Sequence, residues 1–176
     1  LKSTFSTAFY SHLILAIIVA VLLLTGGIWF VENKLIIPAD RMNAAVWVLV
    51  ISVFTTFVSI TQVPYTAVII ARENMNIYAY VGLFEAFAKL AIAYLISVTR
   101  WDRLIFYAAL LAVVQVVIAL TYSFFCTKQY QESHLSRHFD KPIFKEMLGF
   151  SSWSLIANVA HILGTQGLTV VMNMFF

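Results

Sequence analysis

The stretch "YVGLFEAFAKLAIAYLIS", Tyr80 to Ser97, decides the fold. It is long and greasy, yet it holds Glu85 and Lys89 near its middle. The whole chain shares its character. Of 176 residues, 62% are hydrophobic and 11% charged, and the mean hydropathy is +0.91. Soluble domains are ~45–50% apolar and ~25% charged. A soluble fold of this length could not cover so much apolar surface, so lipid is the solvent for most of the chain. Cys126 is the only cysteine, which excludes an internal disulfide. The net charge of +3 reports loop topology rather than nucleic-acid binding. No signal-peptide pattern opens the chain, and both ends read as cuts from a longer protein.

Outward from Tyr80, the chain divides into five apolar segments: about Ala8–Phe30, Asn43–Ile70, Asn76–Val98, Leu104–Phe125, and one that starts near Phe150 and runs to the end. Each reaches the ~20 residues that a spanning helix needs. Strands would be near ten residues with alternating polarity, so the fold class is an all-α polytopic membrane bundle. The connections are short except for Cys126–Gly149, which is long and polar and reads as a linker between two bundles. Lys2, Arg72, Lys128, Arg137, Lys141 and Lys145 fall on one side of the membrane; Lys34, Arg41, Arg100 and Arg103 fall on the other. The richer side is assigned to the cytoplasm, and the linker with it.

Polar stripes interrupt two spans. Ser52, Thr55, Ser59, Gln62 and Thr66 repeat at helical spacing, as do Ser151, Ser154, Asn158, His161, Thr165 and Thr169, with Gln166 and Asn173 beside them. Small and hydroxyl residues serve helix packing in membranes. Gln62, Asn158, His161 and Gln166 are bulkier, and favour a water-filled cavity. Ala108, Ala112, Gln115 and Ala119 in the fourth segment read as packing alone. Pro64 takes the helical partner away from the carbonyl of Ile60, so a kink is expected there.

Glu85 and Lys89 share a helix face, four residues apart with the carboxylate first, which is the favourable order. Each charge costs ~2.5–3.5 kcal/mol near the bilayer centre on insertion scales. The pair therefore faces protein or a wet cavity. It either neutralises itself and fixes packing, or serves as a cavity charge that meets an anionic substrate group or as a carboxylate that titrates.

The stretches "VPYTAVIIARENMNIYAY" (Val63–Tyr80), "LGFSSWSLIANVAHILGTQGLTVVMNMFF" (Leu148–Phe176) and "ENKLIIPADRMNAA" (Glu32–Ala45) carry a resemblance to a known family. In the first, the shared elements are Pro64-Tyr65, Ala71-Arg72-Glu73, Met75 and Tyr78-Ala79. In the second they are Phe150-Ser151, Trp153, Thr165-Gln166-Gly167 and Asn173. Together they resemble the polysaccharide (O-antigen) flippases of the multidrug/oligosaccharidyl-lipid/polysaccharide exporter superfamily. The resemblance extends over essentially the whole chain. It implies a two-lobe transporter of the inner membrane that moves undecaprenyl-pyrophosphate-linked oligosaccharides, with polysaccharide assembly machinery as a further partner and no nucleic acid. Residues 1–125 would then be four helices of the first lobe, 126–149 the cytoplasmic inter-lobe linker, and 150–176 the first helix of the second lobe. It also implies roles. Lys89 meets the pyrophosphate or an acidic sugar, and Glu85 tunes it or binds a coupling proton or sodium ion. Gln62, Asn158, His161 and Gln166 hydrogen-bond sugars. Arg72 and Glu73 form a gate pair, or alternatively an interfacial anchor.

Three other readings compete. A drug/cation antiporter of the same superfamily would want a carboxylate unpaired by lysine. A non-transporting scaffold would need no wet interior. A membrane enzyme could use His134, His138 and Asp140 as metal ligands, but no catalytic signature supports it, and the chain reads as a transporter rather than an enzyme.

Overall fold

The computed structural model describes residues 2–33, 38, 41–99, 102–133, 135 and 139–175, with side chains described through 159 except that of residue 32. Among the described residues five α-helices follow one another: α1 (Lys2–Asn33), α2 (Met42–Ala71), α3 (Met75–Val98), α4 (Arg103–Gln129) and α5 (Lys141–Phe175). A short 3-10 turn, Gln131–Ser133, lies between the last two. No strand occurs among the described residues. Helices α1 to α4 are long and apolar enough to cross a membrane. At 1.5 Å per residue they measure ~36–48 Å, more than the ~30 Å hydrocarbon core. The chain is thus an all-helical, multi-pass membrane bundle.

The helix ends follow local chemistry. The Asp102 carboxylate caps α4 by accepting from the amides of Leu104 (3.0 Å) and Ile105 (3.5 Å). Such a cap answers amides that the helix itself leaves without partners. Asp140 does the same for α5, accepting from the Ile143 amide at 3.3 Å. Pro142 follows in the first turn, where a missing N–H costs nothing. As a result α5 starts at Lys141, ahead of the apolar run that opens near Phe150, and α4 runs on to Gln129. Much of the polar stretch 126–149 is therefore helical. Hydropathy marks where apolar residues begin, whereas a cap marks where the backbone hydrogen bonds begin.

Packing is uneven. Helix α2 lies between α1 and α4, while α3 packs on α4 and meets α2 only sparsely. Gly27 permits part of the α1–α2 contact, since a Cβ there would come 2.9 Å from Leu49 Cδ1. The core gathers at one end of the bundle, where Phe5, Tyr65, Ile69, Val81, Ile118, Tyr122 and Cys126 are buried together. The Tyr65 ring receives Phe5 and Phe9 edge-on, with centroids 5.2 and 5.9 Å away. Its backbone carbonyl accepts from Cys126 Sγ at 3.4 Å. The opposite end is held more lightly, by an exposed ion pair of 2.7 Å between Arg41 and Asp102. Exposed pairs of that kind contribute ~1 kcal/mol at most.

Ile69 is fully buried. Ile69→Ala is expected to lower stability by about 2–5 kcal/mol through lost contacts and a cavity. Leu22 is 64% exposed, and Leu22→Ala should change stability by under about 0.5 kcal/mol. Reversible unfolding in mixed micelles measures both.

Candidate functional site

Helix α3 is the outer helix of the four. Only Val81 and Ile92 are buried on it. They mark its inner face, and Glu85 falls between them at intermediate exposure. Lys89 Nζ donates to Glu85 Oε1 at 2.6 Å, with 57% of the lysine side chain and 37% of the glutamate exposed. The span runs from Met75 to Val98, so both charges sit within a turn of its centre. The pair thus meets itself on one helix, as its spacing predicts, and stays half open on the flank of α3. Phe84, Phe87, Leu90 and Tyr94 occupy the exposed remainder of the helix.

The stripe on α2 divides into two lines. Ser52 and Ser59 are exposed, whereas Thr55, Gln62 and Thr66 are partly buried. Gln115 Nε2 of α4 donates to Gln62 Oε1 at 2.9 Å. Gln62 is therefore engaged in joining α2 to α4, and Gln115 does more than pack. The hydroxyls mostly turn onto their own helices: Thr55 to the carbonyl of Ile51 (2.8 Å) and Thr56 to that of Ser52 (2.9 Å). Asn158 of α5 behaves alike, donating to the Ser154 carbonyl at 2.8 Å from an exposed position. The side chains of His161 and Gln166 lie outside the described residues.

Arg72 and Glu73 do not pair with one another. Arg72 Nη2 donates to the Glu132 carboxylate in the 3-10 turn. That hydrogen bond, and then the negative charge behind it, push the Arg72 guanidinium above its ordinary pKa. The guanidinium also lies 5.8 Å from the Tyr130 ring centre, within cation–π range. Tyr130 Oη accepts from Asn74 Nδ2 at 3.2 Å. The α2–α3 turn is thereby fastened to the end of α4. Neither Glu132 nor Tyr130 carries a local sequence signal for this, because each partner is distant along the chain.

Glu73 has a different task. Its φ of 54° is left-handed, its amide donates to the Ile70 carbonyl (3.0 Å), and the Asn74 amide donates to that of Ile69 (3.1 Å). This is the Schellman closure of a helix C-terminus, at the position where glycine is favoured. A side chain there costs ~1–2 kcal/mol. Asp140, grouped by sequence with His134 and His138, is occupied with capping α5 and with Ser3 Oγ at 3.4 Å. The two histidines lie outside the described residues.

Glu73→Gly is expected to raise stability by about 1 kcal/mol by relieving the left-handed strain; a gate role would instead show as lost activity in the same variant. A double-mutant cycle of Gln62→Leu and Gln115→Leu should give a coupling of about 0.6 kcal/mol and no more than ~1.7. Zero coupling would mean that the two amides act apart.

No protein-family model, curated protein or solved structure matches the chain.

Proposed function

We propose that this chain forms part of a two-lobe polysaccharide flippase of the multidrug/oligosaccharidyl-lipid/polysaccharide exporter superfamily, moving a lipid-linked oligosaccharide across the inner membrane. One observation carries the reading. Glu85 and Lys89 sit at mid-span, paired at 2.6 Å yet half open on the least packed of the four spans. Leaving both charges to hydrocarbon would cost several kcal/mol. A polar passage beside α3 removes that cost and gives the pair a use.

The cargo chemistry follows from the charges. A pyrophosphate cannot cross the core dry. Lys89 offers three donors on a flexible stem, and it can exchange the carboxylate of Glu85 for a phosphate oxygen. Glu85, once released, takes up a proton or a sodium ion, and re-forms the pair when the cargo departs. In this scheme the ion pair is the resting state of the site. Asn158, His161 and Gln166 of α5 serve the sugars, and 126–149 joins the lobes on the cytoplasmic side. Arg72 keeps the α2–α3 turn docked beneath the passage. A drug/cation antiporter needs a carboxylate open to a cationic cargo, and the close Lys89 contact weighs against it.

The test is polymer display at the surface of cells that depend on the full-length protein. Lys89→Ala is expected to reduce display by at least about tenfold, the value of one charge-assisted contact, with membrane levels unchanged. Lys89→Arg should retain part of it. Glu85→Gln should leave binding of the cargo intact and alter the dependence on the proton or sodium gradient. Normal display by Lys89→Ala would sink the role given to the lysine.

A further inference from the structure

A groove of about 440 Å³ opens between α1 and α2, at the densely packed end of the bundle and away from the Glu85–Lys89 pair. Its walls are apolar, formed by Phe5, Ala8, Val63, Pro64, Ala67 and Val68, with Met147 of α5 closing over it. Its polar groups are unequally placed. His12 lies at the deep end, opposite Val63, and its Nδ1 meets the Ala8 carbonyl at 2.8 Å. A carbonyl oxygen only accepts, so that nitrogen carries the ring proton. Arg72 and Glu132 stand at the other end, just past the close of the α2 span at Ala71. From Arg72 to Val63 the groove follows α2 for ~13 Å. It thus begins at headgroup level and descends into the hydrocarbon layer, which is the course of a phospholipid.

The charges at the mouth choose the headgroup. Arg72 and Glu132 form an ion pair there, with 45% and 26% of their side chains exposed. A purely anionic headgroup would gain Arg72 but find the Glu132 carboxylate beside it. A zwitterion satisfies both: its phosphate lies against the guanidinium, which has five N–H donors, and its cation lies against the carboxylate. A primary ammonium can donate hydrogen bonds to Glu132. A quaternary ammonium cannot, and would need an aromatic cage instead. We infer that the α1–α2 groove binds one glycerophospholipid whose headgroup joins a phosphate to a primary ammonium, with one of its two acyl chains lying along Ala67 and Val68. The inference depends on the membrane bundle and not on transport, so it stands or falls apart from the flippase reading.

Native mass spectrometry of the full-length protein tests it, with equal amounts of phosphatidylethanolamine, phosphatidylcholine and phosphatidylglycerol in the micelles. One phosphatidylethanolamine should be retained about tenfold over the other two, the value of one charge-assisted hydrogen bond. Ala67→Phe fills the groove from an exposed position, and should abolish that retention without changing helicity or melting. Glu132→Gln keeps the hydrogen bond to Arg72 but removes the negative charge, and should move the preference to phosphatidylglycerol. Equal retention of the three lipids would overturn the proposal. So would an unchanged preference in either variant, or displacement of the bound lipid by inorganic phosphate.

Discussion

A bilayer offers no water to complete a hydrogen bond, and that constraint governs this chain. Every polar side chain within α1 to α4 must find a partner in the protein or remain beside a wet surface. The cheapest partner is on the same helix. Thr25, Thr55, Thr56, Thr121 and Thr127 each donate to a carbonyl four residues back. A hydroxyl handled in this way ceases to be a polar feature of the helix surface. A stripe of serine and threonine is therefore compatible with packing, with lipid or with water, and carries little functional meaning by itself. Gln62, Glu85 and Lys89 differ because their partners are other side chains. Gln62 reaches across to Gln115, and Lys89 reaches to Glu85. The first joins two helices. The second joins none, and so leaves a charged pair on a surface that lipid would penalise.

The same constraint explains the unequal ends of the bundle. Where α2 turns into α3, the chain reverses through Glu73 in a left-handed conformation. The strain persists because Arg72, Tyr130 and Glu132 hold the turn from the side, as a strained backbone requires. Aromatic packing around Tyr65 then makes this end rigid. From that fixed turn α3 departs from α2 and lies against α4. Its position on the outside of the four helices is what leaves Glu85 and Lys89 half open.

Much of this was legible in sequence for a simple reason: the informative signals were local. Four spans followed from apolar length, and the Glu85–Lys89 contact from four-residue spacing. What was not legible depended on partners far along the chain or on backbone geometry. Arg72 neighbours Glu73 in sequence, so that pair suggested itself, but the left-handed turn gives Glu73 a backbone role and delivers Arg72 to Glu132, 60 residues away. Sequence gives no sign that Gln62 meets Gln115, which lies 53 residues on and sits in a row of alanines. The start of α5 was hidden by charge. Lys141, Lys145 and Glu146 make its first turns polar, and only the Asp140 cap places the helix there.

Two of the ion pairs among the described residues, Arg72–Glu132 and Glu85–Lys89, differ in depth. Arg72–Glu132 lies at the membrane boundary, where water screens it and ends of helices need fastening. Glu85–Lys89 lies at mid-span, where each charge is costly alone and the pair contributes no contact between helices. In the proposed flippase the two charges separate in use, Lys89 taking a phosphate oxygen while Glu85 takes a proton or a cation.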